Sequence, residues 1–252
     1  VDDVTKPILV TGGTGTLGRE VVRRLLAAGQ DVRVLTRRHR PAAEHAWAVG
    51  DLASGEGIAG AVDGVATIVH CATSGRGDAA ATRRLADAAK AAGVTHLLYI
   101  SIVGIDAIPM FYYRAKLDAE QVVEGSGVPW TILRATQFHD LVATMSSAQH
   151  RLPVLFALSG VRFQPIDTGT VADRMIELAL APAAGRVPDI GGPEVRTSAD
   201  LARAYLAATG RKRPVVSLRL PGKIFRALRA GANLTPQRAT GKIAFEEFLK
   251  SR

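Results

Sequence analysis

Through the first half of the chain, short apolar runs take turns with longer stretches in which apolar residues recur at helical spacing. Ile8-Leu9-Val10 is an apolar run that ends in glycines, the pattern of a buried strand. Next, Val21, Val22, Leu25 and Leu26 share one face, with Arg19, Glu20, Arg23 and Arg24 opposite. That pattern predicts an amphipathic helix closed by Gly29. The same reading gives strands at 32–35, 46–49, 66–70, 96–100 and 130–133, and helices at 57–62, 78–92 and 112–124. Strands alternating with helices predict the α/β class, a doubly wound parallel sheet with helices on both faces. The default strand order for that pattern is 3-2-1-4-5-6.

After Arg134 the alternation loosens. Thr170-Val-Ala-Asp173 and Thr197-Ser-Ala-Asp200 read as capping boxes that open helices to about Leu180 and Ala208. Residues 187–190 read as a short strand, and Phe245, Phe248 and Leu249 as one face of a final helix. No Pro/Gly/Ser-rich linker and no repeat interrupts the chain. It reads as one domain, 1–252, in which 135–252 contribute a small C-terminal cap on the ligand side of the sheet.

Composition narrows this picture. The 252 residues are 47% hydrophobic, enough to bury one sizeable core. No apolar run approaches the roughly 18 residues of a membrane span, and Val1-Asp2-Asp3-Val4 has no signal-peptide pattern. Cys71 is the only cysteine, which excludes an intramolecular disulfide framework and a thiolate zinc cluster. The six histidines show no paired metal spacing, so no metal is expected. The expectation is a soluble cytoplasmic protein, a monomer or homodimer, that acts on a small molecule without engaging a membrane. A net charge of +9 raises the question of nucleic acid. The basic residues are spread along the chain, densest at Arg37-Arg38-His39-Arg40 and Arg211-Lys212-Arg213, with no zinc finger, aromatic motif or basic zipper beside them. Small anionic ligands fit that distribution better.

The strongest chemical signal is Thr11-Gly12-Gly13-Thr14-Gly15-Thr16-Leu17-Gly18, set between a strand and an amphipathic helix. Glycines there allow a tight turn, let backbone N–H groups approach a pyrophosphate, and let the helix pack close to the sheet. The helix start then presents unsatisfied donors and a positive dipole end. At the end of the second strand an NAD site wants a carboxylate for the ribose 2′-hydroxyl. Here Thr36-Arg37-Arg38-His39-Arg40 follows, with Arg37 19 residues after Gly18 and no Asp or Glu in the run. Guanidinium is the bidentate partner of phosphate, so NADP(H) is favoured over NAD(H). Asp51, in Gly50-Asp51-Leu52 after the third strand, is placed either to bond adenine or to make an ordinary Asp turn.

Tyr112 and Lys116 sit four residues apart at the start of the helix before strand six, on one face. A nearby ammonium favours phenolate, and a tyrosine so tuned can protonate a carbonyl oxygen as hydride reaches the carbon.

The sequence resembles the short-chain dehydrogenase/reductase superfamily in its atypical, NmrA-like branch. The likeness rests on the glycine loop, Arg37, Gly50-Asp51-Leu52, residues 99–104, residues 112–117, Pro129-Trp-Thr-Ile-Leu-Arg134, Gln137-Phe138 and Gly191-Gly-Pro-Glu194. It implies a Rossmann-type NADPH-dependent oxidoreductase. Gly12, Thr14, Gly15, Thr16, Leu17 and Gly18 would hold the pyrophosphate, and Arg37 and Arg38 the 2′-phosphate. Asp51 and Leu52 would flank adenine, and Cys71, Ala72 and Thr73 would line the ribose region. Lys116 would bond the nicotinamide ribose, with Thr136, Gln137 and Phe138 beside the nicotinamide. Substrate would meet Phe111, Tyr113, Phe138, His139 and Phe163. The acceptor expected is a small, largely apolar carbonyl, enone or quinone.

Two departures stand out. Ser101 is the candidate for the serine of the catalytic group, with Tyr112 and Lys116, but the aligned slot falls at Ile102 or Val103, both apolar. A site short of that serine leans toward quinones or enones. The resemblance also implies an alternative, a non-catalytic NADP(H)-binding redox sensor.

Overall fold

Ile8–Thr11 forms strand β1 with every side chain buried, as a strand covered on both faces requires. The computed structural model describes residues 6–73, 75 and 77–251; residues 1–4, read above for a leader signal, lie outside them. After β1 come α1 (Thr16–Ala27), β2 (Val32–Thr36), β3 (Ala46–Val49), α2 (Ile58–Val62), β4 (Thr67–His70) and α3 (Asp78–Ala91). Then follow β5 (His96–Ile102), α4 (Phe111–Glu124), β6 (Trp130–Ala135), α5 (His139–Ser147), β7 (Leu155–Leu158) and β8 (Arg162–Phe163). The chain ends through α6 (Thr168–Ala179), β9 (Gly185–Arg186), β10 (Arg196–Thr197), α7 (Ser198–Ala208), β11 (Val215–Leu218), α8 (Lys223–Arg229) and α9 (Phe245–Lys250). It divides into two compact units: residues 1–101, 114–133 and 172–187, and residues 102–113, 134–171 and 188–252.

The first unit is organised by a seven-stranded sheet of order β3-β2-β1-β4-β5-β6-β9. β1 runs parallel to β2 and β4, β2 to β3, β4 to β5, and β6 to β9. The order 3-2-1-4-5-6 expected from the sequence is borne out, extended by one short edge strand. Leu9, Ile68, Leu97 and Ile132 pack from the strands against Leu85 and Ala89 of α3 and Val122 and Val123 of α4. Each fully buried Leu or Ile there contributes roughly 1.5–3 kcal/mol. Helix α1 buries Leu17, Val21, Val22 and Leu25, the face its spacing predicts.

The second unit holds two small sheets, parallel β7–β11 and antiparallel β8–β10. Leu155 and Ala157 of β7 pack on Ala202 and Leu206 of α7 in a core of their own. The box that opens α7 is as read: the Thr197 hydroxyl accepts from the Asp200 N–H at 3.1 Å and donates to its carboxylate at 2.6 Å.

Two local expectations are corrected. Helix α6 starts before Thr170, and its cap is Asp167, whose carboxylate accepts from the Thr170 N–H and hydroxyl, both at 2.6 Å. Asp173 is engaged instead by an ion pair with Arg24. Residues 187–190 are not a strand. Pro188 has no N–H to donate, so the short strand β9 falls just before it, and Ile190 makes only an isolated bridge with Ala135.

Candidate functional site

The glycine loop is closed by Gly15 N–H donating to the Gly12 carbonyl at 2.9 Å. Gly12 has φ +69, and a Cβ there would stand 2.7 Å from the Ala72 nitrogen. A Cβ on Gly18 would stand 2.1 Å from the Gly12 oxygen, so only glycine lets α1 begin against the loop. Thr14, Gly15 and Thr16 are exposed at the apex. Helix α1 has no side-chain cap and no acidic residue in its first turn. Nothing in that turn competes for the free N–H groups or repels an anion, so the chain fits a dinucleotide pyrophosphate here.

Beside the loop lies a buried polar chain that the sequence pattern did not point to. Thr11 and His70 are register partners in β1 and β4. The Thr11 hydroxyl meets His70 Nδ1 at 2.6 Å, and His70 Nε2 meets the Thr82 hydroxyl at 3.0 Å. Burial, with the Lys116 charge nearby, pushes His70 down to about 3, so the ring is neutral and structural. Cys71 and Ala72 follow directly. Their N–H groups donate to the Thr11 carbonyl and hydroxyl, which pins residues 71–73 against the loop. Burial pushes the Cys71 thiol up to about 12, which makes it inert. Thr73 donates to the Asp78 carboxylate at 2.6 Å.

Lys116 is only 3% exposed. Its ammonium lies 4.8 Å from the Tyr99 ring centroid. Desolvation lowers its pKa, while the charges of Asp78 and Glu120 oppose that shift. Tyr112 shares α4 with it, four residues earlier, half-buried and with its ring 6.4 Å from that of Tyr113. Ser101 is 3% exposed, and its hydroxyl is buried without a hydrogen-bond partner among the described residues.

Arg37 and Arg38 are exposed. Asp51 makes an Asx turn, its carboxylate accepting from the Ala53 N–H at 2.9 Å, with Leu52 half-buried beside it.

In the second unit several of the expected nicotinamide and substrate residues are engaged within the protein. Thr136 donates to the Gln164 carbonyl at 2.5 Å. Gln137 bonds the Asn233 carbonyl at 3.3 Å and also the Tyr113 hydroxyl, and burial raises the Tyr113 pKa. Phe138 is the N-terminal flanking residue of α5, and Phe111, 68% exposed, begins α4. Phe163 is buried. His139, expected to line the substrate, is corrected to a packing residue. It has no exposed area, bonds the Ile243 carbonyl at 3.0 Å and stacks on Phe248 at 5.0 Å. The apolar face of α9 claims it, a contact 109 positions away in sequence.

A family model described as NAD(P)H-binding matches residues 12–181, the stretch that carries the glycine loop and Lys116. The chain belongs to the NAD(P)H-binding family. This bears out the resemblance read from its motifs. The (4-alkanoyl-5-oxo-2,5-dihydrofuran-3-yl)methyl phosphate reductase of Streptomyces griseus is 32% identical over 217 residues, covering 81% of this chain and 74% of that protein. The photosystem II assembly factor Ycf39 of Trieres chinensis is 27% identical, covering 96% and 81%. The NADPH complex of the Escherichia coli quinone oxidoreductase QOR2 superposes with a TM-score of 0.83 over 97% of this chain and 99% of that one. At 19% identity that likeness carries the fold. No helix among the described residues is long and apolar enough to cross a membrane. None of them group as a metal site either.

Proposed function

We propose that this chain, an NAD(P)-dependent oxidoreductase of the short-chain dehydrogenase/reductase kind, prefers NADPH and reduces a small, largely apolar carbonyl, enone or quinone. The observation that carries the reading is the glycine loop, open at its apex and running into an uncapped helix with no carboxylate in its first turn. The arginine-rich end of β2 supports the phosphorylated cofactor. Bound NADPH would supply the hydride. Lys116 would hold a ribose hydroxyl, and Tyr112 would give its proton to the acceptor oxygen as the adjoining carbon gains the hydride.

An apolar acceptor is supported by a cavity of about 320 Å³ within the second unit. Val142, Met145, Phe156, Phe163, Leu201 and Leu218 line it. Of its polar residues, Gln149 bonds the Phe156 backbone and the Ser198 hydroxyl accepts from the Leu158 N–H, and Ser146 is the third. None of its lining residues is charged, so a charged substrate would find no counter-ion there. Two relatives are named as reductases, one of a (4-alkanoyl-5-oxo-2,5-dihydrofuran-3-yl)methyl phosphate, which carries a charged group, and one of quinones.

The likeness to an assembly factor favours a second reading, a cofactor-binding regulatory protein without turnover. NADPH oxidation against quinones, enones and simple ketones separates the two. The expected result is turnover with a quinone or enone, and at least about a tenfold preference for NADPH over NADH in kcat/KM, the worth of one charged hydrogen bond. Tight NADPH binding with no turnover across the panel would favour the regulatory reading.

A further inference from the structure

Basic residues run through the whole chain, but acidic ones do not. Residues 201–245 carry ten Lys and Arg and no Asp or Glu, which more than accounts for the net charge of +9. That stretch supplies β11, and its partner β7 lies in residues 141–166, which also hold no Asp or Glu. Within the second unit the parallel pair β7–β11 has two unlike faces. Leu155 and Ala157 pack on α7, with Val215 against the same core. The alternate positions, Phe156 and Leu158 on β7 and Val216 and Leu218 on β11, are register partners on the other face. There Phe156, Val216 and Leu218 are 40%, 38% and 40% exposed. Leu152, in the connection before β7, is exposed as well. Single exposed apolar residues are ordinary, whereas an adjoining set on one face marks an interaction surface.

Cations stand at both ends of that face. Arg213 donates to the Gln149 and Leu152 carbonyls at 2.7 and 2.9 Å, and the Leu155 N–H donates to the Pro214 carbonyl at 2.9 Å. Those bonds bring Arg151, Arg211 and Lys212 to one end of the sheet. At the other end the Ser159 N–H donates to the Leu218 carbonyl at 2.8 Å, and Arg219 and Lys223 follow in the chain. All five of these cations are exposed, and among the described residues none of them has a carboxylate partner. The apolar cavity adjoins the same face, since Met145, Phe156 and Leu218 line it and are also exposed.

We propose that the open face of the β7–β11 sheet docks on an anionic lipid surface. Phe156, Val216, Leu218 and Leu152 enter the headgroup boundary, and the cations at the two ends of the sheet meet lipid phosphates. Charge complementarity selects this occupant. A second copy of the chain would set two acid-free basic stretches against each other, which repel. A nucleic acid would match the cations but leave the aliphatic side chains uncovered, with no row of aromatic rings for bases to stack on. A bilayer of acidic lipids takes both halves of the surface at once. The contact is with the surface and needs no spanning helix, so the lack of an apolar run in the sequence does not bear on it. One consequence rests on the acceptor reading above: a lipid-dissolved quinone or enone would meet the cavity from the bilayer side. The docking itself does not depend on that reading.

The test is co-sedimentation of the full chain with two kinds of vesicle, phosphatidylcholine alone and phosphatidylcholine mixed with phosphatidylglycerol, with duplex DNA as a soluble polyanion. Wild type is expected to sediment with the phosphatidylglycerol vesicles and not with the neutral ones, and to be released by salt. Replacing Arg211 and Lys212 together by Gln should weaken vesicle binding about twentyfold, roughly fivefold for each charge. Replacing Leu152 and Val216 together by Ser should weaken it at least about tenfold and leave any DNA binding unchanged. All four side chains are exposed, so thermal melts of both variants should match wild type. No binding to the phosphatidylglycerol vesicles would overturn the proposal. So would binding that the Leu152 and Val216 variant keeps in full, and DNA bound more tightly than the vesicles would assign the basic stretch to a nucleic acid instead. No arm of the test uses the cofactor, so its failure leaves the oxidoreductase reading standing, and vesicle binding by a protein without turnover would leave the docking standing.

Discussion

A Gly18→Ala protein is expected to lose NADPH binding by at least about a hundredfold and to melt several degrees lower. The added Cβ would stand 2.1 Å from the Gly12 oxygen and 2.7 Å from the Gly12 carbonyl carbon and the Gly13 Cα. All three are backbone atoms of the cofactor loop, so no side-chain rotation relieves the contact. Either the loop opens or α1 shifts. Overpacking of this kind costs about 1–3 kcal/mol, which in a chain of this size lowers Tm by roughly 2–4 °C per kcal/mol. The loop that must move is the one whose N–H groups meet the pyrophosphate, so binding suffers more than stability. Gly60→Ala is the matched control. Gly60 lies inside α2, a Cβ added there would meet no atom within 4 Å, and its φ is not positive. That substitution should leave NADPH binding intact and raise stability by about 0.5–1 kcal/mol. Calorimetry and thermal melts on wild type and the two variants check both halves.

The second large effect is expected from Tyr112→Phe. Removing a positioned proton donor slows general-acid catalysis by about 10²–10⁴. The kcat for a ketone or enone should therefore fall at least about a hundredfold, while the dissociation constant for NADPH stays within about twofold. A quinone should suffer less, because its reduced form is a stabilised aromatic diolate that needs less help from an acid. The split between the two acceptors is a readout that mere damage to the packing of α4 would not produce. Equal loss on both, or no loss on either, would remove Tyr112 from the chemistry. Stopped-flow single turnovers with saturating NADPH separate the chemical step from binding.

Much of the architecture was legible because the first unit obeys local rules. Ile8–Thr11 is buried on both faces, and α1 has one clean stripe, Val21, Val22 and Leu25. The glycine loop announces both its turn and its chemistry. What stayed hidden depended on contacts between residues far apart in sequence. His139 has no local mark of burial; Phe245 and Phe248 of α9 cover it. Gln137, read as a cofactor neighbour, is tied to Asn233, 96 positions on. The cap of α6 was misread because Asp167 and Asp173 both offer carboxylates near Thr170, and the pairing of Asp173 with Arg24 is tertiary. Thr11 and His70 could have been noticed: each is the polar last residue of its strand after an apolar pair, and a parallel register sets them side by side.

The most direct measurement of the central claim is the fate of the hydride. The protein would be given, in separate runs, NADPH deuterated on one or the other face of nicotinamide C4 and an acceptor from the panel, with the reduced product of both runs analysed by mass spectrometry. An enone is the acceptor of choice, because its new C–H bond does not exchange with water. Hydride transfer predicts one deuterium in the product carbon skeleton, from one face of the cofactor, and a slower single turnover than with unlabelled NADPH. Oxidation of NADPH with no deuterium in the product, or firm NADPH binding with no product at all, would contradict it.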